Sequence, residues 1–268
     1  MENESKSTSN HDFIKFLGTG GARFVVSQQL RASGGIWLSC RGTQILIDPG
    51  PGALVKCLSS RPKLDPSQLQ GIILTHRHLD HAADVNIMIE AMTRGGSQRK
   101  GMIYAPVDAL DHDPVILKYV RSYVAGIEIL REGDSYHLAS IRFSTPIRHQ
   151  HPVETYGLKI SLPYGTASLI TDTLFFPELM EHYQADCLII NVVRFLPNSP
   201  MVIYHLCFED AKKIITELKP KKALLTHFGT SMLQAKPWKL ADELSQLTGV
   251  HVVACTDGLT FPLGELFT

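Results

Sequence analysis

The run Ile72-Ile73-Leu74 is apolar throughout and leads straight into Thr75-His76-Arg77-His78-Leu79-Asp80-His81. A strand without a polar side is covered on both faces, so it belongs inside a layered structure. Its end, by contrast, carries four potential metal ligands within six residues: His76, His78, Asp80 and His81. Imidazole suits zinc and its neighbours, and a carboxylate beside imidazoles can serve a second, harder metal position. A buried strand that opens onto such a cluster calls for a fold in which several strand ends meet at one edge. The bland alternative is a polar loop holding chance histidines. It weakens because the chain supplies further ligands in the same setting.

At 268 residues the chain is long enough for one large domain or two small ones. Its apolar share of 44% and charged share of 19% are ordinary for a soluble globular protein, so composition does not limit the core. Lysine plus arginine balances aspartate plus glutamate at 26 each, which argues against a dedicated polyanion-binding face but leaves room for a local basic patch. No stretch approaches the roughly 18 uninterrupted apolar residues of a membrane span. The polar N-terminus lacks the apolar core of a signal peptide. Residues 1–11 are expected to form a disordered lead-in, and residues 12–268 a single domain. The cysteines (Cys40, Cys57, Cys187, Cys207 and Cys255) are odd in number and include no Cys-x-x-Cys pair. They read as buried free thiols of a reducing compartment, with the cytoplasm as the default.

Residues 13–17 predict a short strand ending in Gly18-Thr19-Gly20-Gly21. Residues 36–39 and 44–47 flank Arg41-Gly42-Thr43, the pattern of a hairpin with a glycine-containing turn. Asp48-Pro49-Gly50-Pro51-Gly52 then turns the chain. After His81, the positions Val85, Met88, Ile89 and Met92 recur at helical spacing as far as Thr93, and Gly95-Gly96 supplies a stop. Residues 115–124 predict a further helix after Pro114. Strands are expected at 127–130, 141–144, 158–162, 167–170 and 186–193. The last third alternates a helix over 209–218, a strand over 223–225, a helix over 239–247 and a strand over 251–254. This order predicts two sheets packed together with helices outside.

A two-metal site needs roughly six or seven protein ligands and metals about 3.5–4 Å apart. Three later groups follow apolar strands and can complete the first cluster: Arg148-His149-Gln150-His151-Pro152, Thr171-Asp172-Thr173 and Thr226-His227-Phe228-Gly229. Leu-Thr-His occurs at both Leu74-Thr75-His76 and Leu225-Thr226-His227. That recurrence is expected if equivalent strand ends of two halves face a shared site. Each later group is weak by itself, since a lone histidine or aspartate at a strand end is more often a cap or turn residue. Their conjunction with the first cluster is the signal.

The run His76-Arg77-His78-Leu79-Asp80-His81, with His151, Asp172 and His227 in that order, resembles the signature of metallo-β-lactamase fold hydrolases. Leu17-Gly18-Thr19-Gly20-Gly21, Ile47-Asp48-Pro49-Gly50 and the interval from His151 to Tyr156-Gly157-Leu158 look like the branch that holds tRNase Z and the cyclic phosphodiesterases of phosphonate breakdown. The resemblance implies an α+β fold, a four-layer αββα sandwich of two mixed sheets. It implies two divalent metal ions, zinc foremost with manganese or iron as alternatives. His76, His78 and His151 would hold the first metal, Asp80, His81 and His227 the second, and Asp172 both. Asp48 matches the family's aspartate that orients a ligand histidine. His149 competes with His151 as third ligand, and the interval to the aromatic-glycine pair favours His151.

The chemistry so implied is hydrolysis by a metal-activated water, with Asp80 able to steer a proton. No Gly-x-Ser-x-Gly elbow points to a covalent route. His205, just before the helix at 209–218, matches a phosphodiesterase histidine that contacts the scissile phosphate and assists the leaving group. The alternative is a helix-start histidine with no catalytic part. Only 21 positions separate His151 from Asp172, where tRNase Z carries its tRNA-gripping arm. The expected partner is therefore a small or cyclic phosphodiester, not tRNA and not a membrane. A lactone or thioester hydrolase and a non-catalytic metal-binding partner protein are the competing readings. Phe175, Phe176, Tyr183, Phe195 and Leu196 are either core or an apolar lip, which leaves a homodimer open.

Overall fold

Ile36, Trp37 and Leu38 are all buried, yet they face two different cores: Ile36 and Leu38 share one, and Trp37 lies in another. The same split recurs late in the chain, where Ile189 joins the first core and Leu188 and Ile190 a third. Side chains alternate across a strand, so a strand that is apolar on both sides must be covered on both sides. Two sheets back to back, each with helices on its outer face, satisfy that demand. The computed structural model, which describes residues 12–197 and 202–268, has this form.

The strands are β1 (Phe13–Phe16), β2 (Ile36–Cys40), β3 (Thr43–Ile47), β4 (Gly71–Ile73), β5 (Met102–Ala105), β6 (Gly126–Ile129), β7 (Ser135–Leu138), β8 (Ile141–Ser144), β9 (Leu158–Leu162), β10 (Gly165–Ile170), β11 (Cys187–Asn191), β12 (Lys222–Thr226), β13 (His251–Ala254) and β14 (Thr260–Pro262). The helices are α1 (Ala22–Ser27), α2 (Ala53–Ser59), α3 (Leu79–Ala82), α4 (Val85–Thr93), α5 (Glu178–His182), α6 (Phe208–Leu218), α7 (Thr230–Gln234), α8 (Pro237–Thr248) and α9 (Leu263–Leu266). One sheet runs β14-β1-β2-β3-β4-β5-β6 and the other β13-β12-β11-β10-β9-β8-β7. Each passes from antiparallel pairs to a parallel set, β3-β4-β5-β6 in one and β10-β11-β12-β13 in the other. The central core lies between the sheets. The outer cores pack α2 and α4 on the first sheet, and α6 and α8 on the second. The αββα sandwich is thus the observed architecture.

Several boundaries agree to the residue, among them 141–144, 158–162 and 251–254. The hairpin turn at Arg41-Gly42 has φ of 48° and 79°, the doubly left-handed turn that suits strand twist. The helix expected at 115–124 is instead a short 3-10 turn, Lys118–Ser122. Its leading backbone groups are taken elsewhere. The N–H groups of Val115 and Ile116 donate to the Ala109 carbonyl, and Asn86 binds both the Val115 carbonyl and the Leu117 N–H.

The helix after His81 is broken in two at Asp84, whose N–H donates to the Pro49 carbonyl and whose carboxylate accepts from Leu54 N–H. Strands β5, β7 and β14 and helices α1, α2 and α5 have no counterpart among the expected elements. The lead-in expected at 1–11 lies outside the described residues. Of the candidate lip, Phe176 and Tyr183 are buried in the outer core of the second sheet, Phe175 and Phe195 pack against it, and Leu196 is exposed.

One expectation about symmetry fails. β4 is the second member of its parallel set, whereas β12 is the third member of its own. The counterpart of β4 is β11, which ends in Asn191. The repeated Leu-Thr-His therefore marks a common edge and not equivalent strands.

Leu38, 1% exposed between the sheets, tests the central core. Leu38→Ala is expected to lower stability by about 2–5 kcal/mol, read as a lower urea midpoint with an unchanged slope.

Candidate metal centre

Five strand ends deliver the site to one edge of the sandwich. Asp48 follows β3, His76 and His78 follow β4, Asp172 follows β10, Asn191 closes β11 and His227 follows β12. Asp80 and His81 sit on α3, whose single turn begins at His78. His149 and His151 come from the loop between β8 and β9.

Asp48 anchors the arrangement. Its Oδ1 accepts Thr75 N–H at 2.7 Å, and its Oδ2 accepts the Thr75 hydroxyl at 2.7 Å and His81 Nδ1 at 2.9 Å. With that N–H committed, Nε2 is the nitrogen His81 presents to the centre. His151 is oriented likewise, since its Nδ1 donates to the Tyr204 carbonyl at 2.8 Å. His76 Nδ1 lies 3.1 Å from Thr75 Oγ1, whose proton is already given to Asp48, so here the imidazole is the donor. In each case the outer nitrogen is engaged and the inner one faces its fellows. Such partners fix the tautomer of a ligand histidine.

Two groups of inward atoms result, His76, His78 and His151 in one and Asp80, His81, Asp172 and His227 in the other, with ligand atoms in each within 4.8 Å of one another. His151 Nε2 is 3.0 Å from His78 Nδ1, and His81 Nε2 is 3.1 Å from His227 Nε2. Asp172 joins the groups. Its Oδ2 lies 3.7 Å from His76 Nε2 and 3.3 Å from His81 Nε2, and its Oδ1 lies 3.5 Å from His227 Nε2. His205 approaches from the mouth, Nδ1 at 3.5 Å from Asp172 Oδ2, with its side chain 17% exposed.

The electrostatics call for a cation. Burial holds His76 well below the usual histidine range, lowers His78, and brings His151 down to about 4, so these imidazoles stay neutral donors. Burial would also depress His81 and His227. There Asp172 and the neighbouring carboxylates prevail, holding His81 well above its ordinary value and raising His227 to about 9. Burial would raise Asp172 and Asp80, but the facing histidines hold both below the carboxylate range. The carboxylates thus favour positive charge on their side of the centre. His76 Nε2, Asp172 Oδ2 and His205 Nδ1 are also buried without a hydrogen-bond partner. Orphaned buried polar atoms cost about 1–3 kcal/mol each. A nitrogen and oxygen donor set with such orphans at its focus fits divalent metal ions.

All seven residues expected as ligands converge, and His205 lies beside them. His149 does not join either group. It is buried, with Nε2 2.9 Å from the Tyr183 hydroxyl, and it faces the core below the centre. Three contributors escaped the sequence reading. Asn191 Nδ2 donates to Asp172 Oδ1 at 3.0 Å, Ala22 N–H donates to Asp80 Oδ2 at 3.1 Å, and Thr75 braces Asp48. Asn191 has a signal, a single amide inside the apolar run Cys187-Leu188-Ile189-Ile190-Asn191-Val192-Val193. A backbone N–H such as that of Ala22 has none.

Gly21 shows how tight the edge is. A Cβ there would lie 2.1 Å from His227 Cδ2, so only glycine lets this loop pass the imidazole. Asp48 and His227 are themselves left-handed, with φ of 53° and 59°. Such conformations cost about 1–3 kcal/mol and gather at functional sites.

A family model described as a beta-lactamase superfamily domain matches residues 43–228. The chain belongs to the beta-lactamase superfamily. Within it, the chain is 31% identical over 258 residues to an uncharacterized protein of Methanocaldococcus jannaschii, covering 93% of this chain and 94% of that one. It is 29% identical over 154 residues to a ribonuclease Z of Kineococcus radiotolerans, a match spanning 56% of this chain and 47% of that enzyme. Among solved structures, the metallo-beta-lactamase fold protein YhfI from Bacillus subtilis shares the fold at a TM-score of 0.76 and 19% identity, covering 94% of this chain and 99% of YhfI. A diphosphatase from the PhnP family does so at 0.69 and 21% identity, over 94% of this chain and 96% of that one. Among the described residues no helix is long and apolar enough to cross a membrane.

Gly21→Ala is expected to displace the His227 imidazole. In spectra of protein labelled at the histidine ring nitrogens, the His227 signals should move while those of His137, exposed on β7, stay in place.

Proposed function

We propose that this chain is a dinuclear metal-dependent hydrolase acting on a small or cyclic phosphodiester. The observation that carries the reading is the sorting of seven inward donors into two groups that share Asp172. His76, His78 and His151 would hold one metal, Asp80, His81 and His227 the other, and Asp172 both. Zinc suits this imidazole-rich set best, with manganese or iron as alternatives. Divalent metals bound there supply a Lewis acid and lower the pKa of water.

The chain's own residues do the rest. Asp48, Thr75 and the Tyr204 carbonyl hold the imidazoles in their tautomers. Asp80 offers a carboxylate at the centre's edge that can steer a proton. His205 borders the same centre from the solvent side, its ring 5.2 Å from that of His151. That is a place from which an imidazole can bind a phosphoryl oxygen and deliver a proton to the departing alkoxide. The likeness to a ribonuclease Z and to a diphosphatase supports a phosphorus substrate. Between His151 and Asp172 runs the hairpin β9–β10, joined at Pro163-Tyr164, which supports a small substrate over tRNA.

Metal analysis of the purified protein is expected to give close to two metals per chain. Asp172→Ala should reduce this content, because both groups lose a shared ligand. Bis(p-nitrophenyl) phosphate should be hydrolysed, and His205→Ala should lower kcat by about 10²–10⁴-fold with metal content retained. Activity confined to lactones or thioesters in a parallel panel would overturn the phosphodiester reading, and a protein that takes up no metal would overturn the hydrolase reading itself.

A further inference from the structure

Lys15 lies in the middle of β1 and is only 4% exposed. A buried ammonium is ordinarily paired with a carboxylate, because desolvating a lone charge is expensive. Its Nζ donates instead to two neutral acceptors, Thr260 Oγ1 at 3.0 Å and the Arg61 carbonyl at 3.4 Å. Among the described residues no carboxylate lies within 4.0 Å of it. Burial pulls its pKa down, the direction expected of an ammonium short of counter-charge.

Lys15 borders a cavity of about 270 Å³ between β1, the end of α2 and the turn before β14. Lys56 and Arg61, both exposed, stand on its rim. Neither of their side chains makes an ion pair among the described residues. One acid lines the same cavity, Asp257, but its carboxylate is committed away from these cations. Oδ1 accepts Thr19 N–H at 2.9 Å and the Thr19 hydroxyl at 2.7 Å, and Oδ2 accepts Ala32 N–H at 2.8 Å. The hydroxyls of Ser59 and Ser60 are spent on the carbonyls of Val55, Cys57 and Pro62. Three cations therefore line one volume against the single carboxylate of Asp257, which leaves an excess of positive charge.

The volume approaches the lower end of small-molecule sites, about 300 Å³, and far exceeds the roughly 30 Å³ that a single water occupies. It shares no lining residue with the cavity at the metal centre. We propose that this cavity is a second ligand site, which takes a small phosphorylated molecule with its phosphate against Lys15 and its charge completed by Lys56 and Arg61. A phosphate monoester or diphosphate carries about two or more negative charges, which matches three cations opposed by one carboxylate. The phosphate can belong to an organic monophosphate or to inorganic diphosphate. The site does not depend on the metal centre or on the hydrolase reading.

The test is calorimetric titration of the purified, metal-loaded full chain with inorganic pyrophosphate and, separately, with adenosine 5′-monophosphate. Saturable binding of at least one probe is expected, and which probe binds distinguishes the inorganic from the organic source. Lys15→Met and the double variant Lys56→Ala/Arg61→Ala should each weaken it at least tenfold, with metal content and bis(p-nitrophenyl) phosphate turnover unchanged. Both residues of the double variant are exposed, so it tests the site even if Lys15→Met does not fold. Absence of saturable binding by either probe overturns the proposal. So does binding that survives both variants, or that is lost only in Asp172→Ala.

Discussion

The carboxylate of Asp48 is the constraint on which the edge of this sandwich depends. It receives the Thr75 N–H, the Thr75 hydroxyl and His81 Nδ1, and so ties the end of β3 to the end of β4 and to α3. One side chain thereby sets the path of the chain through His76 and His78, the aim of His81 and, through Thr75, the aim of His76. Charge-assisted hydrogen bonds of this kind are stronger than neutral ones, and they gain further where water is excluded. Asp48 adopts a left-handed backbone to make them, which is tolerable only because the surrounding bonds over-determine it.

Across the sheet interface Asp172 is the reciprocal element. It is buried, held by Asn191 on one oxygen, and its other oxygen lacks a hydrogen-bond partner. A buried carboxylate left so is stable only in a field of positive charge, and the carboxylates here raise both His81 and His227 against the effect of burial. The two groups differ in this respect. One is a set of neutral imidazoles, the other a knot of carboxylates and protonatable histidines. A shared residue that must serve both lies where the two sheets bring their strand ends together, and there the fold concentrates its polar burial.

The fold was legible because its strands are rich in apolar residues and their boundaries are marked by glycine, proline and ligand-type residues. β8, β9 and β13 match to the residue for that reason. Helical spacing misleads at residues 115–124 because it counts side chains and ignores backbone partners. Asn86 and Ala109 offered the backbone of Val115, Ile116 and Leu117 better bonds than a helix would. β5 and β14 are fixed by pairing with β4 and β6 and with β1, partners distant in the chain that local pattern does not reveal.

From the sequence came the layered fold, read from strands that are apolar on both faces, and the groups of ligand-type residues placed directly after apolar strands; the resemblance to the metallo-β-lactamase fold, not local pattern, implied which seven of them converge. Tertiary structure decided the rest. It separated His151, which faces His78, from His149, which faces Tyr183, although the two are only two positions apart and of one residue type. It placed β4 and β12 at one edge without making them equivalents, added Asn191 and the Ala22 N–H, and left Lys15 beside an open cavity. The physical reason is common to all of these. Hydrogen-bond partners and counter-charges come from residues distant in the chain, so the direction in which a side chain is satisfied exists only once the sheets have packed.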